Sequence, residues 1–209
     1  MRSLSNLTIK DVIERAVGCC EERRASAESV NQMRTFFEEC GYRPFNPMLY
    51  NTLCRFGASE IEHTSRRGLF IKGDPGIGKT FGLELMALKF GWQMVPAIEV
   101  EGFYKTQPCY DDWEEYCRGC DFFGHPKTLV IDDLGTEKFP FTYYGQTANP
   151  LEEMLEIRYR ISHSRDHVRT IVTTNLTDAE IMQRYGFRIF DRMNEMFAVV
   201  TIRGESLRK

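Results

Sequence analysis

A glycine-rich turn between an apolar run and an apolar helix constrains this chain more than any other feature. Residues 68–72 are mostly apolar, GDPGIGKT follows at 73–80, and a helical pattern runs from Phe81 to Phe90. The turn fits G-x-x-x-x-G-K-[ST], which is typical of a strand, a phosphate-binding loop and a helix in succession. Glycines let backbone N–H groups approach phosphate oxygens, and the N-terminus of a helix adds a positive dipole end. The turn therefore predicts a phosphate site.

The residue types in this loop also predict its ligand. The Lys79 ammonium can reach the β- and γ-phosphates of a nucleotide, and the Thr80 hydroxyl can bind Mg²⁺. We therefore expect a nucleoside triphosphate with Mg²⁺. The predicted cofactor contacts are Gly73, Asp74, Pro75, Gly76, Ile77, Gly78, Lys79, Thr80 and Phe81.

A second apolar strand, predicted over 127–131, ends in two carboxylates. We expect Asp132 to hold Mg²⁺, directly or through water. Asp133 is then placed to polarise the attacking water, a task often given to glutamate, whose extra methylene changes its reach. Hydrolysis is therefore expected to be slow. The alternative is that the two aspartates cap a turn before Gly135.

Three further polar residues are candidates for the same site. Asn175 ends another buried strand and can reach the γ-phosphate or the attacking water; the alternative is a turn-forming asparagine. Arg188 and Arg192 are four residues apart, so they project from one helical face. A guanidinium fork suits a phosphate. The alternative is a pair of surface arginines bound to Asp191 or Glu195.

The remaining pattern alternates strands with helices. Such alternation predicts a parallel sheet covered on both faces, with ligands at the carboxyl ends of its strands. Thr177 and Glu180 predict a capping box at the start of a late helix. The predicted core strands after the phosphate loop are 93–100, 127–131, 169–173 and 197–202, and the predicted helices include 111–120 and 150–161.

Three short helices are predicted before the phosphate loop. They span 8–17, the segment from Ser26 to Gly41, and the segment from Asn46 to Gly57. The stretch 58–67 is polar and charged, so we place a boundary near residue 60. The predicted organisation is a helical region over 1–60 and a nucleotide-binding core over 61–209.

Composition and the lengths of the apolar runs argue against several classes of protein. The 209 residues are 42% hydrophobic, which suffices for a packed core, and the net charge of −3 leaves room only for local contacts with nucleic acid. The apolar runs fall far below the roughly 20 residues that a membrane span needs. The N-terminus lacks the apolar core of a signal peptide. Seven cysteines, an odd number, predict reduced thiols, and we expect a cytoplasmic protein.

Two local features have less specific interpretations. Cys109, Cys117, Cys120 and His125 are enough ligands for zinc, although a single CxxC after a helix favours ordinary thiols. The aromatic segment 138–145 follows the paired aspartates. Its rings can stack on single-stranded bases or, in the favoured interpretation, pack against the core or another subunit.

These motifs together resemble AAA+ ATPases of the DnaC-type helicase-loader group, which is similar to the IstB-type transposition helpers. The resemblance covers residues 66–208. It implies a P-loop NTPase fold of the AAA+ type, with a five-stranded parallel sheet flanked by helices, and ATP as the nucleotide. It rests on GDPGIGKT (73–80), VIDDLGTE (130–137), TIVTTNL (170–176), YGFRIFDRM (185–193) and GESLR (204–208).

The resemblance also implies individual roles. Asn175 becomes a sensor residue, and Arg192 becomes an arginine finger offered to a neighbouring subunit of a nucleotide-dependent homo-oligomer. Arg188 is the reserve candidate for the finger, and Arg208 is a candidate sensor arginine. Few residues follow Ile202, so we expect no C-terminal lid.

The function implied is an ATPase that loads a replicative helicase onto single-stranded DNA. In loaders the N-terminal part contacts the helicase, but residues 1–60 carry no motif that identifies a partner. Two alternatives stay open at this point. One is a transposition helper that coats duplex DNA and meets a transposase, and the other is a nucleotide-dependent regulatory module that scarcely hydrolyses.

Overall fold

The computed structural model describes residues 24–42, 46–106, 109–120, 125, 127–163 and 168–204. The predicted helix at 8–17 and the candidate Arg208 lie outside these residues. Within them the helices are α1 (Ala27–Glu39), α2 (Pro47–Ile61), α3 (Lys79–Phe90), α4 (Ala97–Thr106), α5 (Tyr110–Arg118), α6 (Pro150–Ser162) and α7 (Asp178–Met196). The strands are β1 (Gly68–Gly73), β2 (Gln93–Pro96), β3 (Leu129–Leu134), β4 (Phe141–Tyr143), β5 (Gln146–Ala148), β6 (Thr170–Thr174) and β7 (Phe197–Ile202).

Five of these strands form one parallel sheet in the order β2-β3-β6-β1-β7. Strand β6 lies between β3 and β1, with Val172 opposite both Ile131 and Phe70. The ends of β1, β3 and β6 therefore meet at one edge of the sheet. The predicted five-stranded parallel sheet with flanking helices is confirmed.

The sheet is covered on both faces, as the apolar strands predicted. Phe70 and Leu129 belong to a core cluster that also contains residues of α4 to α7. Leu69 and Ile71 belong to the opposite cluster, with residues of α1, α2 and α3. Because successive side chains of a strand alternate in direction, the continuous apolar run of β1 fills both cores.

The helix boundaries agree with most capping signals. The Ser26 hydroxyl accepts from Ser29 N at the start of α1, and Asn46 Oδ1 accepts from Met48 N and Leu49 N at the start of α2. The predicted capping box of Thr177 and Glu180 opens α7.

The predicted end of α2 at Gly57 is wrong, because the helix continues to Ile61. Gly57 lies inside the helix where it crosses α1, and a Cβ at this position would come within 2.6 Å of Met33 Cε. The glycine therefore permits close helix packing instead of ending the helix. The two N-terminal helices share a hydrophobic core with β1 and α3, and the predicted division near residue 60 stays a prediction.

The predicted strand over 93–100 is also wrong in its second half. Strand β2 ends at Pro96, and α4 begins at Ala97. Ala97, Val100 and Glu101 are buried on one side of this helix, so its apolar residues follow a helical period that the short segment did not reveal. The aromatic segment 138–145 contains β4 and the turn after it, and β4 pairs antiparallel with β5 in a hairpin.

A buried arginine joins several elements of the α6 side of the sheet. Arg158 is 1% exposed, and it donates to Thr170 Oγ1 and to the carbonyl oxygens of Arg118, Lys127 and Arg169. Burial lowers the pKa of Arg158 to about 10. The group therefore stays charged at neutral pH and holds the starts of β3 and β6 beside the end of α5.

Candidate nucleotide-binding site

The glycine-rich turn leads from β1 to α3. Gly76 and Gly78 have φ of 81° and 93°, which is a conformation that glycine adopts without the steric cost of a Cβ. Gly73 serves a second purpose, because a Cβ there would come within 2.2 Å of the Ile202 carbonyl oxygen. The loop therefore depends on glycine both for its curvature and for its close approach to β7.

Lys79 is the first residue of α3, and its side chain folds back against the start of the loop. The residue is 4% exposed, and its Nζ donates to the carbonyl oxygens of Gly73 at 2.7 Å and Asp74 at 3.0 Å. It also donates to Asn175 Oδ1 at 2.7 Å. The structure thus brings the predicted phosphate-binding lysine and the predicted sensor residue into direct contact.

Thr80 and Asp132 are likewise in contact. Thr80 Oγ1 donates to Asp132 Oδ2 at 2.9 Å, and Asp132 is 6% exposed. Both residues line a groove of about 550 Å³. A hydroxyl and a carboxylate oxygen are hard ligands of the kind that Mg²⁺ prefers, so these two residues fit the metal predicted for them.

Thr173 was not predicted, and it orients both aspartates. Its hydroxyl is fully buried, donates to Asp132 Oδ1 at 2.6 Å and accepts from Asp133 N at 2.8 Å. The only signal in the sequence was a polar residue near the carboxyl end of a buried strand. Because threonine is common in strands, that signal does not distinguish a positioning hydroxyl from an ordinary strand residue.

Asp133 sits in an irregular part of β3. The pairing register with β6 shifts between Ile131 and Leu134, and Asp133 has φ of 53°. Its carbonyl accepts from Thr136 N at 3.1 Å and from Thr136 Oγ1 at 2.9 Å, which closes a turn directly after the strand. Aspartate tolerates the left-handed region better than most residues, and such outliers concentrate at functional sites.

The outer side of the loop is tied to other parts of the chain. Asp74 Oδ2 accepts from Gly204 N at 3.1 Å, and Asn46 Nδ2 donates to the Arg203 carbonyl at 3.0 Å. The segment after β7 is therefore held between the loop and the start of α2. Of the other predicted contacts, Pro75 is exposed, Ile77 is buried, and Phe81 is half exposed.

The two candidate arginines share one partner. Arg188 Nη2 donates to Glu156 Oε1 at 2.5 Å, and Arg192 Nη1 donates to Glu156 Oε2. The Arg192 guanidinium also lies 4.7 Å from the centre of the Tyr159 ring. The hydrogen-bonded ion-pair partner of both arginines is therefore Glu156, not Asp191 or Glu195, although Arg192 is among the groups that lower the pKa of Glu195. Both arginines thus lie on α7 beside α6, and no hydrogen bond joins either to the phosphate loop among the described residues.

Glu137 is a second residue that the sequence did not single out. It is 6% exposed, and its Oε1 accepts from Arg184 Nε at 2.7 Å and from Tyr185 OH at 2.5 Å. Its Oε2 accepts from Gly135 N at 2.9 Å. Burial and the neighbouring Glu137 carboxylate raise the pKa of Tyr185, so its hydroxyl remains a donor. A glutamate four residues after Asp133 looks like a surface residue in the sequence.

The aromatic segment divides into buried and exposed rings. Phe141 is 3% exposed and packs into the core, in agreement with the packing interpretation. Tyr144 is 90% exposed at the turn between β4 and β5, and Phe139 is 47% exposed with the Arg184 guanidinium 5.1 Å from its ring centre. Only some of these rings are therefore placed to meet a partner.

The zinc alternative has no support in the part of the chain that the structure describes. No group of three or more histidine, cysteine, aspartate or glutamate side chains is arranged there to hold a metal ion. Cys117 is buried, which raises the pKa of its thiol, while Cys109 is exposed.

None of the helices in the described ranges combines the length and the apolar character that a bilayer crossing requires.

Several solved structures are similar to this chain to different extents. The crystal structure of the DnaC helicase loader is similar with a TM-score of 0.53 and 20% identity, over 78% of this chain and 94% of that one. Pif1 helicase from Candida albicans gives a TM-score of 0.44 and 12% identity, over 78% of this chain and 40% of its own. NtrX from Brucella abortus, solved in complex with ATP, gives a TM-score of 0.40 and 14% identity, over 95% of this chain and 40% of its own.

No protein-family model matches this sequence, and no curated protein matches it at a significant level. The likeness to the DnaC structure agrees with the resemblance that the motifs carry, at the level of the fold. The chain therefore has the α/β fold of P-loop NTPases, with a five-stranded parallel sheet flanked by helices.

Proposed function

We propose that this protein binds ATP with Mg²⁺ and hydrolyses it slowly. One observation carries the proposal: two consecutive residues at the start of α3 contact the ends of two neighbouring strands. Lys79 Nζ lies 2.7 Å from Asn175 Oδ1, and Thr80 Oγ1 lies 2.9 Å from Asp132 Oδ2. The N-terminus of α3 thus brings together the Lys79 ammonium, the Asn175 amide and two oxygen atoms, from Thr80 and Asp132, that can bind a metal ion. The positive end of the helix dipole favours a triphosphate at this position.

The residues present suit the cofactors. Gly76 and Gly78 have positive φ, and left-handed residues within a turn are typical of the backbone nests that bind phosphate. Thr80 and Asp132 would hold Mg²⁺, and when bound the ion would neutralise charge on the phosphate oxygens. Lys79 would exchange its carbonyl partners for phosphate oxygens, and this exchange favours the ligand because charged partners give stronger hydrogen bonds than neutral ones.

Hydrolysis would depend on Asp133 and Asn175. Asp133 follows the metal-type carboxylate directly, and the Thr173 hydroxyl fixes its backbone. Its carboxylate would polarise the attacking water, while Asn175 would orient that water or contact the γ-phosphate. Aspartate has a shorter reach than glutamate, which supports slow turnover.

We further propose that Arg192 acts on the nucleotide of a neighbouring subunit, with Arg188 in reserve. Both arginines lie on α7, beyond the elements that hold the phosphates in the same chain. The Glu156 carboxylate binds both arginines. For either arginine to act on the nucleotide of a neighbouring subunit, phosphate oxygens must replace this carboxylate as its partner. The proposal predicts a nucleotide-dependent homo-oligomer with shared active sites.

The cellular role that we propose is helicase loading on single-stranded DNA. The resemblance of the motifs supports it, and the exposed Tyr144 at the hairpin turn offers a ring on which a base can stack. The helicase would contact the N-terminal residues 1–60. The alternatives are duplex-DNA binding as a transposition helper and a regulatory role with negligible hydrolysis.

Phosphate release tests the proposal and separates the alternatives. The full chain is incubated with ATP and Mg²⁺ alone, with single-stranded DNA and with duplex DNA, at a stated salt concentration. We expect slow release that single-stranded DNA stimulates. Stimulation by duplex DNA alone, together with filaments in electron micrographs, would favour the transposition helper. Nucleotide binding without release under any condition would favour the regulatory module.

A further inference from the structure

A buried cluster connects the catalytic edge of the sheet to the helix that bears the two candidate arginines. Its centre is Glu137, a carboxylate with almost no solvent contact and three side-chain hydrogen bonds. In addition, Arg184 Nη2 donates to the backbone carbonyl of Glu137. A buried charge is tolerated only when its partners are fixed around it, so this cluster holds one geometry.

The cluster is joined to Asp133 by a very short segment. The carbonyl of Asp133 accepts from both the backbone and the hydroxyl of Thr136, which closes a turn, and Glu137 follows at once. Gly135 lies in the same turn. The Leu176 side chain occupies the space that a Cβ of residue 135 would need, and Leu176 directly follows Asn175. A shift of Asp133 would therefore reach Glu137 through the backbone of this turn, and a shift of Asn175 would reach it through the Leu176 side chain packed on Gly135.

On the other side the cluster ends at a break in α7. Tyr185 is followed by Gly186, whose φ of 80° and ψ of 158° are not helical. Arg184 is held at both ends, because its guanidinium meets Glu137 and its carbonyl accepts from Asn149 Nδ2, the N-cap residue of α6. The helix before the break is thus fixed to the catalytic edge, and the arginines follow directly after the break.

We infer that Glu137 is a positioning residue, which couples the turn after Asp133 to the arginine-bearing part of α7. The inference rests on the proposed ATPase function and adds a route by which the nucleotide and the arginines affect each other. Glu137 is not itself a proposed contact of the nucleotide or the metal. Its carboxylate acts through Arg184 and Tyr185.

The first test measures turnover and affinity separately. In Glu137→Gln the amide presents N–H groups to donors, so the cluster loses its geometry. We expect kcat to fall about tenfold or more while the ATP dissociation constant changes by less than about threefold, since misplacing a catalytic group affects the chemical step. Glu152→Gln, an exposed glutamate on α6, is the matched control and should leave both values unchanged.

A double-mutant cycle separates coupling from simple destabilisation. If Glu137 acts through the arginine segment, Glu137→Gln should cost little further activity in an Arg192→Ala background. Independent, multiplicative losses would overturn the inference. Should Glu137→Gln fail to fold, Tyr185→Phe removes one donor from Oε1 and keeps the buried ring. That variant should show a smaller loss in kcat with the same dependence on Arg192.

Hydrogen exchange provides a readout that does not need turnover. A non-hydrolysable ATP analogue with Mg²⁺ should change amide exchange in a peptide covering 187–196 of the wild-type protein. Glu137→Gln should still bind the analogue but lose this change. If the change in amide exchange persists in Glu137→Gln, the inference about Glu137 is overturned. It is also overturned if the wild type binds the analogue and shows no change in exchange. Neither result contradicts the proposed ATP binding. A wild type that binds no nucleotide would overturn the proposed function as well.

Discussion

Lys79 donates to Asn175 Oδ1 at 2.7 Å across a separation of 96 residues in the chain. The contact exists because β1 and β6 are neighbours in the sheet and both end at the same edge. The phosphate loop therefore meets the candidate sensor directly. The geometry predicts that nucleotide binding and the position of Asn175 are linked, because Lys79 cannot keep all three oxygen partners and also bind phosphate fully.

Replacing Asp133 with Asn should suppress turnover and leave ATP affinity nearly intact. The amide cannot accept a proton from the attacking water, whereas Thr80 and Asp132, the proposed ligands of Mg²⁺, are unchanged. General-base groups contribute about 10²–10⁴-fold, so phosphate release should fall by a factor in that range. Calorimetric titration with ATP and Mg²⁺ provides the matching affinity. Loss of affinity together with turnover would show that Asp133 and Asp132 have exchanged roles.

Replacing Arg192 with Ala should preserve ATP binding and reduce hydrolysis by about tenfold or more, since arginine fingers contribute up to about 10³–10⁵ in related systems. Wild-type activity per subunit should rise with protein concentration as assemblies form.

A mixing experiment identifies action between subunits. Arg192→Ala retains an intact phosphate loop, and Lys79→Ala retains the arginine. Combining the two should restore part of the activity. Activity that is independent of concentration, with no restoration in the mixture, would leave Arg192 as a structural partner of Glu156.

Replacing Tyr144 with Ala should weaken single-stranded DNA binding without affecting folding. The ring is 90% exposed, so little packing is lost, whereas base stacking contributes about 1–3 kcal/mol. Fluorescence anisotropy at a stated salt concentration measures the binding, and circular dichroism measures the melting transition. Tyr110→Ala, a half-exposed tyrosine at the start of α5, is the control. Equal losses in both variants, or none in either, would argue against a DNA contact at the hairpin.

Replacing Arg158 with Ala should destabilise the fold by about 3 kcal/mol or more, because four oxygen acceptors lose a hydrogen bond from its guanidinium and a fully buried side chain is removed. Urea denaturation measures the free energy of unfolding. Arg160→Ala, an exposed residue on the same helix, should change this value by less than about 0.5 kcal/mol. Similar effects of the two substitutions would mean that the buried network contributes little.

Local patterns in the sequence were enough to predict the sheet and most of the residues gathered at its edge. The loop at 73–80, the paired aspartates and Asn175 each carry an identifiable pattern, and the order of strands places their ends together. Capping residues such as Ser26, Asn46 and Thr177 mark helix starts because their side chains bond locally.

Most of what the sequence did not reveal depends on contacts between distant parts of the chain. Gly57 looked like a helix end, but its meaning depends on Met33 in another helix. Thr173 and Glu137 gain their roles from residues 40 or more positions away, so neither has a local signature. Arg188 and Arg192 were expected on one helical face, and only the packing of α7 on α6 identifies Glu156 as their partner.

The affinity of the protein for ATP with and without the Lys79 side chain decides whether residues 73–80 bind phosphate. Calorimetric titration of the wild type with ATP and Mg²⁺ should show one site per chain. Lys79→Ala should bind about 100-fold more weakly, equivalent to about 2.7 kcal/mol, because the fixed cation among neutral amides is removed. Lys89→Ala, near the other end of α3, should bind like the wild type. Unchanged affinity in Lys79→Ala, or no binding by the wild type, would contradict the assignment of residues 73–80 as a phosphate-binding loop.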